Sequence, residues 1–157
     1  MSWCKALLAS ALLALTACGF TPAYGPGNAG AALNGRIAFG EPSDRTTFQL
    51  VRRLEERLGR SIDPAYDLGV TLVTTEEGQA IDADGNIDRF TLLGTAQYVL
   101  TDRSTGVQVA QGEVSNFTGY SATGTTVATL QAQRDAQERL VTILADMLTD
   151  RLIATAL

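Results

Sequence analysis

Arg89-Phe90-Thr91-Leu92-Leu93-Gly94-Thr95-Ala96-Gln97-Tyr98-Val99-Leu100-Thr101-Asp102 is the stretch whose reading decides the fold. Phe90, Leu92, Gly94, Ala96, Tyr98 and Leu100 alternate with Arg89, Thr91, Thr95, Gln97 and Thr101. A period of two over so long a run is the pattern of an extended strand with one covered face. Leu93 and Val99 interrupt the polar side, so the second face is not purely solvated. Asp102-Arg103-Ser104-Thr105-Gly106 supplies turn residues, and Val107-Gln108-Val109-Ala110 is expected to return antiparallel. The alternation changes phase near Gly112, from Val107 and Val109 to Val114, which predicts a bulge or bend there. Upstream, Tyr66, Leu68, Val70 and Leu72 alternate with Asp67, Gly69 and Thr71, giving a third strand of the same meander.

Working outward, Arg36-Ile37-Ala38-Phe39 is a short strand candidate. Thr46 and Gln49 have the spacing of a capping box, and Phe48, Val51, Leu54 and Leu58 mark a buried helical stripe that Gly59 ends. Arg52–Glu56 and Glu56–Arg60 are i,i+4 pairs, and the cluster Arg52, Arg53 and Arg57 reads as a solvated face. A last helix is expected after Gly124, reaching Ala154. Its stripe is Val127, Leu130, Leu140, Val141, Leu144, Met147, Leu148 and Leu152, with Arg134 and Arg151 snorkelling at its rim. Asp135, Arg139, Asp146 and Asp150 lie opposite, with Asp135–Arg139 a further i,i+4 pair. Two amphipathic helices need an apolar surface, and the meander offers only one clearly. The expected fold is therefore α+β: a two-layer sandwich, a four-stranded sheet with two helices packed on one face, in the order β-α-β-β-β-α. The sheet's other face, rich in Thr and Gln, is left for solvent or a partner.

The N-terminus has its own signature. Lys5 gives a short charged n-region, and Ala6–Leu15 is an apolar run too short to span a bilayer, which takes about 20 residues. Leu15-Thr16-Ala17-Cys18 resembles the lipobox of bacterial lipoproteins, in which the thiol is acylated, the chain is cut before the cysteine and the new amine is acylated too. Residues 1–17 are thus expected to be a signal peptide and Cys18 the lipidation site, with 18–34 a Gly-, Ala- and Pro-rich tether and 35–157 the folded domain. Of 157 residues, 140 remain after cleavage, enough for one well-buried domain. Cys4 and Lys5 leave with the signal, so the mature chain has no cysteine pair and all its side-chain cations are arginine. Eleven arginines face 17 carboxylates, a net charge near −6 that argues against nucleic acid as a partner.

The chemical inventory is sparse. There is no histidine, the commonest general base and metal ligand. Ser and Thr have no mature Lys, His or free thiol to activate them, and no Gly-rich loop leads into Lys-Ser or Lys-Thr. Glu76-Glu77 reads as a solvated turn. Asp82-Ala83-Asp84-Gly85-Asn86-Ile87-Asp88 has acidic residues at alternate positions like a calcium loop, but its Gly is misplaced and no Glu follows at the required distance. It reads as a solvated turn joining two strands. The expectation is a non-enzymatic binding or structural protein without cofactor or metal.

Cys18-Gly19-Phe20-Thr21-Pro22-Ala23-Tyr24-Gly25, the strand Arg89–Asp102 and the helical segment Arg134-Asp135-Ala136-Gln137-Glu138-Arg139 through Leu144-Ala145-Asp146 together resemble the LPS-assembly lipoprotein LptE (RlpB) family. The resemblance implies a lipoprotein anchored in the outer membrane and facing the periplasm. There it would plug and help assemble an LptD-like β-barrel that carries lipopolysaccharide to the cell surface. The family meets lipopolysaccharide through basic residues. In a mature chain without lysine the candidates are Arg89 and Arg103, near strand ends where a guanidinium could meet phosphate bidentately. Read as residues alone, both are equally surface charges. The alternative of another class is an auxiliary lipoprotein of a lipid-transport ABC system with a similar small α+β body.

Overall fold

A computed structural model describes residue 25 and residues 29–81 and 87–155. The expected signal peptide, Cys18, nearly all of the tether before Ala29 and most of the Asp82–Asp88 loop lie outside the described residues.

In chain order the elements are α1 (Ala29–Leu33), β1 (Ile37–Phe39), α2 (Arg45–Leu58), β2 (Tyr66–Ile81), β3 (Ile87–Asp102), β4 (Gln108–Ser121) and α3 (Thr126–Thr155). The sheet runs β1-β2-β3-β4: β1 pairs parallel with β2, and β2, β3 and β4 form the antiparallel meander. A parallel neighbour needs a crossover, which α2 supplies. This is the expected α+β sandwich with one addition. Residues 29–33, assigned by sequence to the tether, form a helical turn that buries Leu33, so the folded body begins at Ala29 rather than Gly35.

Register explains how the alternating residues become one layer. Leu68 opposes Leu100, Leu72 opposes Ala96, and Ala96 and Leu100 oppose Val114 and Ala110 on the far side. These side chains share a face and join Leu50, Leu54 and Leu58 of α2 and Leu140, Leu144, Leu148 and Leu152 of α3 in one buried cluster. The strands run longer than their sequence patterns. β2 continues to Ile81, so Glu76 and Glu77 lie on a strand, not in a turn. The phase change in β4 falls at Val109, between the pairs Leu100–Ala110 and Thr101–Gln108, not at Gly112. Val107 and Val109 therefore leave the covered face and are exposed.

The helices correct several sequence readings. Asp44, not Thr46, caps α2: its Oδ1 accepts from the Thr47 N–H at 2.8 Å and Oδ2 from the Thr47 hydroxyl at 3.1 Å. Gly59 ends the helix at φ 76°, as its position predicts. Phe48 is not in the core; the buried stripe is Leu50, Leu54 and Leu58, which leaves Phe48 56% exposed. Val127, Leu130 and Met147 of α3 are also exposed, as are Arg134 and Arg151. The arginine cluster of α2 is not a simple solvated face. Arg53 grips both oxygens of Asp146 on α3 through Nε at 3.0 Å and Nη2 at 3.1 Å. Arg57 reaches Asp146 at 3.3 Å and Asp150 at 3.2 Å. The two helices are thus clamped above their apolar seam, and the Asp146 carboxylate pushes the Arg53 guanidinium pKa up. Arg52 pairs with Glu56 as expected, but Arg60 takes Glu55 rather than Glu56. Asp135 accepts from Gln131, while Arg139 turns to the Gly119 carbonyl.

The cap supplies a first expected outcome. The Thr47 N–H holds the Asp44 carboxyl pKa below its ordinary 3.8. A depressed carboxylate pKa adds stability above the unfolded value and loses it as pH falls through the folded one. Asp44→Ala should therefore destabilise by about 1 kcal/mol at neutral pH. The gap from wild type should narrow as pH falls below 3.8 and through the depressed pKa; urea melts across pH check this, and a gap constant with pH would refute it.

Candidate interaction surface

The two helices occupy one face of the sheet, and its reverse is open among the described residues. Side chains alternate, so that face carries Thr71, Val73 and Thr75 of β2, Leu93, Thr95, Gln97 and Val99 of β3, and Gln111, Glu113, Ser115 and Phe117 of β4. Five of these eleven are the expected Thr and Gln, and Gln97 donates to Glu113 across the strands at 3.0 Å. Apolar groups also stand in this field. Leu93 directly opposes Phe117, and Val73, opposite Thr95, lies diagonally across from Leu93. Val73 is 58% and Phe117 66% exposed, an apolar strip across three strands with no covering layer among the described residues. Leu93 and Val99 were legible in sequence as interruptions of the polar side. Val73 and Phe117 were missed, although each breaks phase with Leu72 and Val114 in the same way.

Arg89 and Arg103 fall at opposite ends of β3, roughly 45 Å apart at the rise of a strand, so they form no joint site. Arg89 is exposed, opposite Ser121 of β4. Arg103 sits in the β3–β4 turn, where its backbone N–H donates to the Ala65 carbonyl and its Nε lies 3.1 Å from Asp67 Oδ2. Its charge is thus partly answered by a carboxylate. The turn itself is fixed by Asp102, whose Oδ1 accepts from the Ser104 hydroxyl at 2.6 Å and from the Ser104 and Thr105 N–H groups. These bonds, the Ser104 hydroxyl first, hold the Asp102 carboxyl pKa low. At the other end Phe90 stacks on Tyr120 with centroids 5.3 Å apart. Burial, then the Glu76 carboxylate, pushes the Tyr120 phenol pKa up.

Among the described residues no group of three or more acidic or thiol side chains is arranged to hold a metal. What the geometry offers is surface: an uncovered sheet face with an apolar strip and arginines at its ends. That defines a small α+β domain with one sheet face uncovered among the described residues. The sequence profile of the lipopolysaccharide-assembly family LptE matches residues 35–152, and the chain belongs to that family. No curated protein matches the chain. Several solved structures share the fold. A lipoprotein from Caulobacter crescentus CB15 is 22% identical, with a TM-score of 0.65 over 80% of this chain and 93% of that one. The rare lipoprotein B from Shewanella oneidensis is 14% identical, with a TM-score of 0.60 over 76% of this chain and 93% of its own. A minor lipoprotein from Acinetobacter baumannii is 17% identical, with a TM-score of 0.57 over 76% and 89%.

Proposed function

We propose that this chain is an outer-membrane lipoprotein, anchored through Cys18 and facing the periplasm. It plugs an LptD-like β-barrel and helps it assemble for lipopolysaccharide export. The supporting observation is that family membership spans nearly the whole folded body, residues 35–152, and so includes the uncovered sheet face and its apolar strip. A plug needs surface on more than one side, and the open face supplies it opposite the helices. For lipopolysaccharide itself Arg89 is the stronger candidate, because Arg103 already faces Asp67. A phosphate at Arg103 would have to compete with that carboxylate. Crosslinking in native membranes is expected to capture a large β-barrel with the wild-type chain. Recovery of soluble proteins alone would sink the proposal. Depletion should reduce surface lipopolysaccharide, whereas altered phospholipid asymmetry would point instead to a lipid-transport ABC system.

A further inference from the structure

The two edges of the sheet are treated differently. On β4 the Phe117 N–H is taken by the Asn116 side chain at 2.7 Å, and the Gly119 carbonyl accepts from Arg139 at 3.2 Å. Together with the irregularity at Val109, these are devices that keep an edge from recruiting a strand. They also fix the phase of the whole meander. In antiparallel pairs a residue points both its N–H and its C=O to the same side, and the side alternates. Odd-numbered residues of β4 around Phe117 therefore face outward and even-numbered ones bond β3. Across β3 the odd residues Leu93, Thr95, Gln97 and Val99 then bond their β2 partners Thr75, Val73, Thr71 and Gly69. The even residues of β2 point away, toward β1. The 3.1 Å bond from the Gly40 N–H to the Leu68 carbonyl shows that phase directly.

β1 occupies this edge only opposite Tyr66, Asp67 and Leu68. Beyond it, Val70, Leu72, Thr74 and Glu76 aim their N–H and C=O groups at an edge where no partner stands among the described residues. The window Val70–Glu76 contains no proline and no lysine, and its register with β3 is unbroken up to Gly78. Among the described residues one edge is guarded and the other is open.

We infer that this open window of β2 is a docking site for a short extended segment of the barrel partner, added as a strand in line with β1; this rests on the function proposed above. A row of backbone donors and acceptors at strand spacing is complementary to another backbone in the same state. A second copy of this chain fits poorly. Two-fold pairing about Val73 would set Glu76 against Val70 and carry Gly78 and the residues after it onto the place that β1 already holds opposite Leu68, and a register shifted toward Ile81 escapes that collision only by pairing through the irregular stretch from Gly78 to Ile81. A segment of about seven residues avoids that collision. Its side chains are specified too: apolar groups on the helix side beside the half-buried Val70 and Leu72 and on the open side beside the exposed Val73, and a basic group on the open side beside Glu77, since Glu76 already accepts from Gln133 at 2.8 Å.

The decisive variant is Thr74→Pro in the full chain, compared with Thr74→Val. The Thr74 N–H faces the free edge, so proline there leaves the bonds to β3 intact and is tolerated by an edge strand. The expected result is an unchanged melting curve with barrel recovery reduced by about tenfold or more, a decade of affinity or greater. Thr74→Val keeps its N–H and should bind as wild type. As a second measurement, hydrogen exchange at Val70, Leu72, Thr74 and Glu76 should be fast in the free protein and slowed in the complex. If wild type captures the barrel and Thr74→Pro captures it equally, with these amides still fast, strand addition is wrong while the barrel reading stands. If wild type captures no barrel, the functional reading itself fails. Crosslinking of β2 to β2 of a second chain would replace the barrel segment with a homodimer and overturn the inference.

Discussion

Leu144→Ala is expected to cost the fold about 2–5 kcal/mol, the range for removing a fully buried leucine side chain from a well-packed core. Leu144 has no solvent exposure and sits at the centre of α3, where helix, β3 and β4 converge. Its neighbour on the sheet is a glycine. A Cβ added at Gly94 would come within 2.8 Å of Leu144 Cδ1 and 3.0 Å of Leu140 Cδ2. The sheet is thus flattened at Gly94 to let two leucines descend onto its backbone. Gly94→Ala alone should destabilise by about 1–3 kcal/mol through overpacking. In the Leu144→Ala background the same methyl would enter the vacated space and cost far less. The two effects should fail to add by on the order of 1 kcal/mol or more. Urea denaturation of the four proteins in this cycle, followed by far-ultraviolet circular dichroism, measures that coupling. Strict additivity would show that helix and sheet do not meet here as described.

The architecture was largely legible because period-two and period-3.6 patterns report which face is covered, and that is what register and core obey. Leu68, Ala96, Leu100, Leu140 and Leu144 could all be placed from their spacing. What escaped has physical causes. Phe48 lies about 120° around α2 from Leu54, off the face that Leu50, Leu54 and Leu58 bury, and Val127 sits in the first turn of α3, before its first fully buried residue, Ala136. Arg53 and Arg57 looked like solvent charges because their carboxylate partners lie about ninety residues away on α3, beyond any local pattern. Gly112 looked like the site of the phase change because glycine tolerates irregularity. The irregularity falls at Val109 instead, where the strand leaves the turn held by Asp102. The candidate surface was harder still. Alternation shows that a face is open but not which apolar residues on it will align across strands; Leu93 with Phe117 emerges only from register. The hydrogen-bond phases of the strands, which distinguish a guarded edge from an open one, have no sequence signature. They follow from the side-chain bonds of Asn116 and Arg139.

Cys18→Ser is expected to transfer the protein from the membrane to the soluble fraction in cells that lack the barrel. No helix among the described residues is long and apolar enough to cross a membrane. On the proposed reading the acyl groups on Cys18 then supply the membrane affinity. Each buried methylene contributes about 0.8 kcal/mol, and two acyl chains hold where one is marginal. The fold should be indifferent to the loss. Cys18 lies eleven residues before Ala29, where the first helix begins, so thermal melts of the variant and wild type should coincide. Barrel capture should fall as well, because the anchor and tether confine the domain near the membrane. A Gly-rich chain of about eleven residues, the number from Cys18 to the start of the first helix, has a root-mean-square span of roughly 17–20 Å. Within that radius a partner meets the domain at an effective concentration in the millimolar range. Without the anchor the same contact becomes bimolecular, and recovery should depend on protein concentration. Overexpression should then restore barrel capture by Cys18→Ser, but not by a chain that also carries Thr74→Pro. Retention of Cys18→Ser in membranes without the barrel would overturn the assignment of Cys18 as the anchor. Failure of overexpression to restore capture would mean that the anchor does more than concentrate the domain near its partner.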